Sequence, residues 1–290
     1  MLDLLLPTAS DEMAVVEAIG PSVPTAPATS AFVRMGAGSS TLISATTVFA
    51  LFVLWWVVTN AGWIKPLFLP SPQAVWQQFV AYLTGDANDR SLLQHAAASL
   101  LRVFSAFALA CVVGIPLGLA MGVSRIARGV FDPVLEFYRP LPPLAYLPLI
   151  IIWFGIDETP KVLLIFLSCL APLALASRAG ARAASQEQLH AAASMGATRW
   201  QTLVHAIVPA ALPDILVGMR IAIGFGWTTL VAAEMVAASV GLGQMVLNAS
   251  NFLRTDIVVM GILVIGGVAF AFDLLMRAIE RRLVPWRGRA

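Results

Sequence analysis

Residues 99–123 read SLLRVFSAFALACVVGIPLGLAMGV, with one charge, Arg102, near the start and none after it. A bilayer's hydrocarbon core is about 30 Å thick and takes about 20 apolar residues of helix to cross. Unpaired backbone in lipid is too costly for an open strand, so a block of this length reads as a spanning helix. Comparable apolar blocks lie at 42–58, 215–238 and 257–278, and two shorter ones at 141–155 and 162–176. The third block in chain order, 141–155, is rich in proline: Pro140, Pro142, Pro143 and Pro148 make it irregular. Irregular backbone is tolerated at depth only where protein or water covers it, so this span is a candidate for a pathway or a dimer interface. Only the tight link at 157–161 separates it from the fourth. The fold class is an all-α membrane protein of about six transmembrane helices. Composition agrees: the chain is 59% hydrophobic and 12% charged, with a mean hydropathy of +0.84, too little charge for the surface of a soluble domain.

Charge placement sets the orientation. With both ends inside, the inner segments carry Arg34, Arg125, Arg128, Arg139, Arg178, Arg182 and Arg199, and the C-terminal tail carries Arg277, Arg281, Arg282, Arg287 and Arg289. The outer segments carry only Lys65, Arg90, Lys161 and Arg254. This bias predicts cytoplasmic N and C termini. Residues 1–40 open with Asp3, Asp11, Glu12 and Glu17 and are rich in Pro, Ala, Thr and Ser at 21–30. They lack the basic start and apolar run of a secretory signal and read as a disordered cytoplasmic tail, leaving 41–285 as the transmembrane domain.

Two links carry structure of their own. In the outer link, 61–98, Ser71–Pro72 is an N-cap followed by Pro at the first helical position. Val75, Trp76, Phe79, Val80 and Leu83 then share one helical face, which either lies on the membrane surface or docks an outside partner. The inner link, about 179–214, is too polar to span. A short helix is expected at 189–195, ended by Gly196, which tolerates the left-handed turn. A second starts at Thr198 with Trp200, Leu203, Val204 and Ile207 on one face, and Pro209 and Pro213 break the pattern before the fifth span. Such a helix–Gly–helix either fits a partner's groove, with small Ala191 and Ala192 allowing close approach, or packs on its own bundle.

Arg102, Glu234 and Asp273 fall within spans, where charge is expensive. Arg102 either snorkels from the outer end of span two or faces the bundle, a water path or a partner charge, and Asp273 is placed to pair with Arg277 at i+4. Glu234 either forms a structural ion pair or belongs to a pathway. Gly114, Gly118 and Gly122 repeat at a spacing that permits close helix contact, and Pro116 predicts a kink. Cys111 and Cys169 read as small packing residues, and no metal spacing is present. His95, His190 and His205 are scattered over both sides, which argues against a membrane enzyme. The only lysines, Lys65 and Lys161, do not sit in the Gly-rich pattern that cradles phosphate, so the chain has no ATPase machinery of its own. A secondary carrier would show inverted repeats with paired broken helices, and none is evident. No nucleic-acid partner is expected.

The run His190-Ala-Ala-Ala-Ser-Met-Gly196, followed by Ile207-Val-Pro209 and Leu212-Pro213, resembles the cytoplasmic "EAA" loop of ABC importer permeases. His190 replaces the family's Glu, Ala206 its Ile and Val208 its Leu, while the spacing of Ala191, Ala192, Gly196 and Pro209 is kept. Ser99-Leu-Leu-Arg102, Gly114-Ile-Pro-Leu-Gly118, Tyr138-Arg-Pro-Leu-Pro-Pro-Leu-Ala-Tyr-Leu-Pro148, Trp153-Phe-Gly-Ile156, and Glu234 with Gly241-Leu-Gly243 resemble the nitrate/sulfonate/taurine branch, and within it most of all the taurine type. The likeness covers about 45–286. It implies a type I ABC importer permease (MetI-like) fold in a bacterial inner membrane, a permease homodimer, cytoplasmic ATPase subunits that hold ATP and Mg, and a periplasmic solute-binding protein. It assigns the coupling contact to Leu189, His190, Ala191, Ala192, Met195, Gly196, Ala197, Trp200 and Pro209. The solute that the resemblance implies is taurine or a related small sulfonate, with nitrate and longer alkanesulfonates as alternatives. For a zwitterion such as taurine, Trp227, Thr228, Thr229 and Glu234, together with Pro142 and Pro143, are the candidate pathway residues. Trp227 has the competing reading of a residue packed against a neighbouring helix.

Overall fold

The structure, a computed structural model, describes residues 41–85 and 90–284; the tail 1–40, with Arg34, and the final arginines Arg287 and Arg289 lie outside them. The chain forms two units, 1–53 and 54–290. Every regular element among the described residues is helical: α1 Thr41–Asn60, α2 Pro72–Thr84, α3 Leu92–Val123, α4 Arg125–Tyr138, α5 Pro143–Phe154, α6 Glu158–Ala181, α7 Gln186–Ser194, α8 Arg199–Thr202, a π-turn Leu203–Ile207, α9 Val208–Ala237, α10 Leu242–Asn251 and α11 Thr255–Leu283. Five helical stretches are long and apolar enough to cross a membrane: 42–60, α3, α6, the run Arg199–Ala237, and α11. Among the described residues, α4 and α5 together are long and apolar enough for a sixth, and they are bent by 104° at their junction.

The core of the second unit is built on α6. Gly114, Gly118 and Gly122 of α3 form one small-residue face against it: a Cβ at Gly118 would lie 2.3 Å from Ala174 O, and one at Gly122 2.3 Å from Ala181 Cβ. α9 brings a second such face at the same spacing, Gly218, Ala222 and Gly226. A Cβ at Gly218 would lie 2.3 Å from Ala176 Cβ, and one at Gly226 2.9 Å from Cys169 Sγ. Small faces matter because apolar burial gives no advantage between helices in lipid, so close van der Waals approach carries the packing. Around these contacts Val103, Phe107, Ile165, Leu173, Ile223, Trp227, Leu230 and Phe272 form the main apolar cluster. Cys169 packs within it, as its size suggests.

The structure corrects several boundaries. Residues 125–138 form a helix rather than an inner turn. Ser124 caps it by accepting from Ala127 N at 3.3 Å, and Ile126, Val130, Val134 and Phe137 give it an exposed apolar face. That i, i+4 pattern was present in the sequence, but the charges beside it masked it. The third span is therefore broken, with α5 starting at Pro143. Pro209 and Pro213 do not end a helix. Pro209 enters as a second-position residue of α9 and Pro213 lies inside it. Because Pro209 has no N–H to give His205 O, the backbone shifts into a π-turn, where Val208 N–H donates to Leu203 O. α8, the π-turn and α9 are thus continuous, and the inner link spans 182–198 rather than 179–214. In α2 the predicted apolar face divides: Val75 is buried beside Phe79, Leu242, Met245 and Ile257, while Trp76, Val80 and Leu83 are exposed.

Gly118→Val should abolish stable folding, since its Cβ would enter the backbone of α6. Gly267→Ala, where nothing stands within 4 Å, should raise stability by up to about 1 kcal/mol, the helix-propensity difference. Unfolding in detergent micelles, followed by circular dichroism, compares the two. Equal stability of both variants would refute the tight α3–α6 contact.

Candidate functional site

Three places concentrate chemistry. The first is a buried charge cluster joining α3, α6, α9 and the α9–α10 turn. Glu234, fully buried, accepts from Ser99 Oγ at 2.7 Å, Arg102 Nη1 at 2.7 Å and Gly243 N at 2.8 Å. Arg102 also donates to Val240 O at 2.6 Å and grips Glu158 with two bonds, Nε to Oε2 at 2.5 Å and Nη2 to Oε1 at 2.9 Å. Lys161 donates to Glu158 at 2.9 Å. The turn is clamped from α3 as well: Leu242 N donates to Ser99 Oγ at 2.9 Å, and His95 Nδ1 sits 2.9 Å from Gly241 O and 3.1 Å from Gly241 N. Gly241 has φ +149°, and a Cβ there would lie 2.4 Å from Glu234 Cδ, so the carboxylate lies directly against the turn. Two cations face two carboxylates, every oxygen of Glu234 is bonded, and the cluster is a satisfied network rather than a stray charge.

Arg102 therefore does not snorkel: it is 6% exposed and points into the bundle. Asp273 does pair with Arg277, at 2.7 Å. It also stands 4.0 Å from Arg220, which reaches Glu280 at 3.5 Å. Arg220 was readable as a fourth charge inside a span and was missed because it lies close to the span's start.

The second place is the inner link. Ser185 caps α7 with a reciprocal box to Gln188, at 3.2 and 3.1 Å, and Thr198 caps α8 the same way with Gln201, at 3.3 and 2.8 Å. Between them Gly196 takes φ +75°, the left-handed turn that ends α7. Met195 and Trp200 project outward, 82% and 71% exposed. Leu189 and Ala197 are half-buried; His190, Ala191 and Pro209 are exposed; Ala192 is buried. Behind Met195 a cleft of about 600 Å³ opens between the two short helices, lined among others by Gln188, Ala191, Gln201, His205 and Pro209. The link offers both a knob, Met195 and Trp200, and a socket behind it.

The third place is the bend between α4 and α5. The Tyr138 hydroxyl donates to Leu167 O and accepts from Ala171 N at 3.1 Å. Those are the two groups that an unbroken helix would join directly. Pro172, next in line, has no N–H to offer Ser168 O. The hydroxyl thus stands in the ladder of α6 about midway along its length, and ties the bend to it. Beside it lies a cavity of about 270 Å³, lined by residues including Arg139, Pro142, Pro143, Tyr146, Ser168 and Phe225. Arg139, which follows Tyr138 and is exposed, lines this cavity.

The six candidate pathway residues do not meet. Pro142 and Pro143 line the bend cavity. Trp227 packs in the main cluster, with its indole N–H buried and unpartnered among the described residues. Thr229 is buried, Thr228 is exposed and bonded to Phe225 O at 2.9 Å, and Glu234 belongs to the charge cluster.

Arg102→Gln should cost about 3–5 kcal/mol, because it leaves Glu234 buried without its cation. Adding Glu234→Gln should recover part of that loss. A double-mutant cycle on unfolding in micelles reads the coupling; additive losses would show that the pair is not coupled.

Residues 114–285 match the family model described as a binding-protein-dependent transport system inner membrane component. The chain is 50% identical to the taurine transport system permease protein TauC of Escherichia coli (strain K12), over 85% of this chain and 90% of that one. It is 35% identical to SsuC of the same organism, named for aliphatic sulfonates transport, over 81% and 88%. Among solved structures, a chain of the inward-facing MetNI methionine ABC transporter superposes with a TM-score of 0.59 at 17% identity, covering 66% of this chain and 95% of that one. That likeness bears on the fold alone.

Proposed function

Since this chain belongs to the family of binding-protein-dependent transport system inner membrane components, we propose that it is the permease for taurine, or a closely related small sulfonate, in an ATP-driven importer. It is a multi-pass inner-membrane transport component and not an enzyme. What supports taurine as solute is the 50% identity to TauC along most of both chains. Alkanesulfonate is the second reading, supported by the more distant likeness to SsuC.

The machine has divided labour. A solute-binding protein selects and delivers the solute outside. Two copies of this chain form the passage, with both termini cytoplasmic. Separate ATPase subunits bind ATP and Mg and do the hydrolysis, for which this chain has no phosphate-binding loop. Force passes through the inner link. Met195 and Trp200 offer large apolar side chains to a groove, as hot-spot residues do, and the cleft behind them accepts a side chain in return. Because α8 runs through the π-turn into α9, a push on the link is delivered along a continuous helix to Glu234 near its far end, which is bonded to Gly243 beyond the turn. That continuity supports assigning the coupling role to the region of Leu189–Pro209.

Gly196→Val should insert in the membrane normally yet lose most ATP-driven uptake. There is space around its Cβ, but a left-handed backbone costs a β-branched residue about 1–2 kcal/mol, which distorts the turn locally. Uptake and ATPase rates in proteoliposomes, with the ATPase and binding protein supplied, check this. Normal transport by the variant would remove the coupling role. The solute is tested by labelled taurine uptake against excess unlabelled alkanesulfonate or nitrate. Competition by taurine alone supports the taurine reading; transport of a competitor in its place moves the solute and keeps the class.

A further inference from the structure

We propose that the cavity at the α4–α5 bend is the station where the solute's anionic group is held during passage, and that Arg139 is the residue that recognises it. This rests on reading the chain as a sulfonate permease.

Depth is the first argument. The bend is fastened by Tyr138 to Leu167 and Ala171, about midway along α6. Ile221 and Phe225, on the same cavity wall, lie about midway along α9. Two independent spans therefore place the cavity near the centre of the bundle's height. An ionisable side chain at that depth is costly and marks an ion or substrate path unless it is paired.

Arg139 is not paired among the described residues. It makes no ion pair or side-chain hydrogen bond there, although acidic residues are near in sequence. Asp132 is bonded to Arg178, and Glu136 stands 3.8 Å from the same guanidinium. Arg178 therefore satisfies the acids of α4, and Arg139 is left as the net positive charge of the bend. The charges buried or half-buried deeper in the second unit are paired: Arg102 with Glu234 and Arg220 with Glu280.

The walls suit a small sulfonate. A guanidinium offers paired N–H donors in a planar fork that matches tetrahedral oxyanions. Tyr146 is half-buried and its hydroxyl has no hydrogen-bond partner among the described residues, so it is a second donor. The Tyr146 and Phe225 rings offer faces to an ammonium group. The volume, about 270 Å³, is roughly nine times the ~30 Å³ share of one liquid water, enough for a small aminosulfonate.

The test uses the full complex in proteoliposomes with the loaded binding protein, and reads solute imported per ATP hydrolysed. Arg139→Gln should lower that ratio about tenfold, the scale of one lost charge-assisted bond. Arg139→Lys, which keeps the charge, should stay much closer to the parent. Tyr146→Phe should lower the ratio about threefold through loss of one neutral hydrogen bond. An unchanged ratio in Arg139→Gln overturns the proposal, as does Arg139→Lys being no better than Arg139→Gln. If Arg139→Gln loses its ATPase subunits on purification, Arg139→Lys and Tyr146→Phe decide, and parental ratios in both overturn it. A parent complex that imports no sulfonate at all fails the function reading itself, before any variant is compared.

Discussion

The close approach of α6 to α3 on one side and α9 on the other is the constraint on which the rest of the structure depends. Neither contact is driven by apolar burial, because lipid tails are as apolar as the side chains they would replace. Both rest on residues small enough to let backbones nearly touch, and a single methyl group at Gly118 or Gly218 would collide. Once those three helices are fixed, the ends of α3, α6 and α9 converge where Arg102, Glu158 and Glu234 meet. The charge cluster is thus a consequence of the packing, and in turn it fixes the α9–α10 turn through Val240, Leu242 and Gly243.

This arrangement gives the two ends of α9 opposite characters. One end is locked by a satisfied ionic network in which a carboxylate lies against a glycine. The other runs through a π-turn into the exposed Met195–Trp200 knob. A helix held firmly at one end and presented at the other is suited to carry displacement between a soluble partner and the bundle. The Pro209 position, which cannot donate its hydrogen bond, marks where the regular helix gives way. The third span shows a related economy of means: Pro172 weakens the ladder of α6, and the Tyr138 hydroxyl occupies the gap, so one side chain joins a broken span to an unbroken one.

Much of this was legible without coordinates. Apolar run length gave five of the spans, because the bilayer imposes a length that few other environments require. The Gly114–Gly118–Gly122 face, the Ser71 cap and the turn at Gly196 were readable because each depends on local stereochemistry. The Asp273–Arg277 pair was readable because i+4 spacing places both on one helix face. The parts left open depend on partners distant in sequence. Snorkelling and pairing stayed open for Arg102 because nothing near it in sequence is acidic; its partners are Glu158 and Glu234. Trp227 and Glu234 each had two readings, and burial decides between them: the indole packs in the apolar cluster and the carboxylate forms an ion pair.

The sequence by itself determined that the chain crosses a membrane by helices, that its inner link is a helix–Gly–helix, and that it has no phosphate-binding loop. Those properties follow from run length, backbone preference and a short motif, all local. Tertiary structure alone decided which charges neutralise one another, that Arg139 has no ion pair among the described residues, and that α4 and α5 meet at a bend of 104°. The reason is that a charge's cost, and a proline's effect, depend on what stands a few ångströms away in space. In this chain those neighbours come from helices dozens of residues apart.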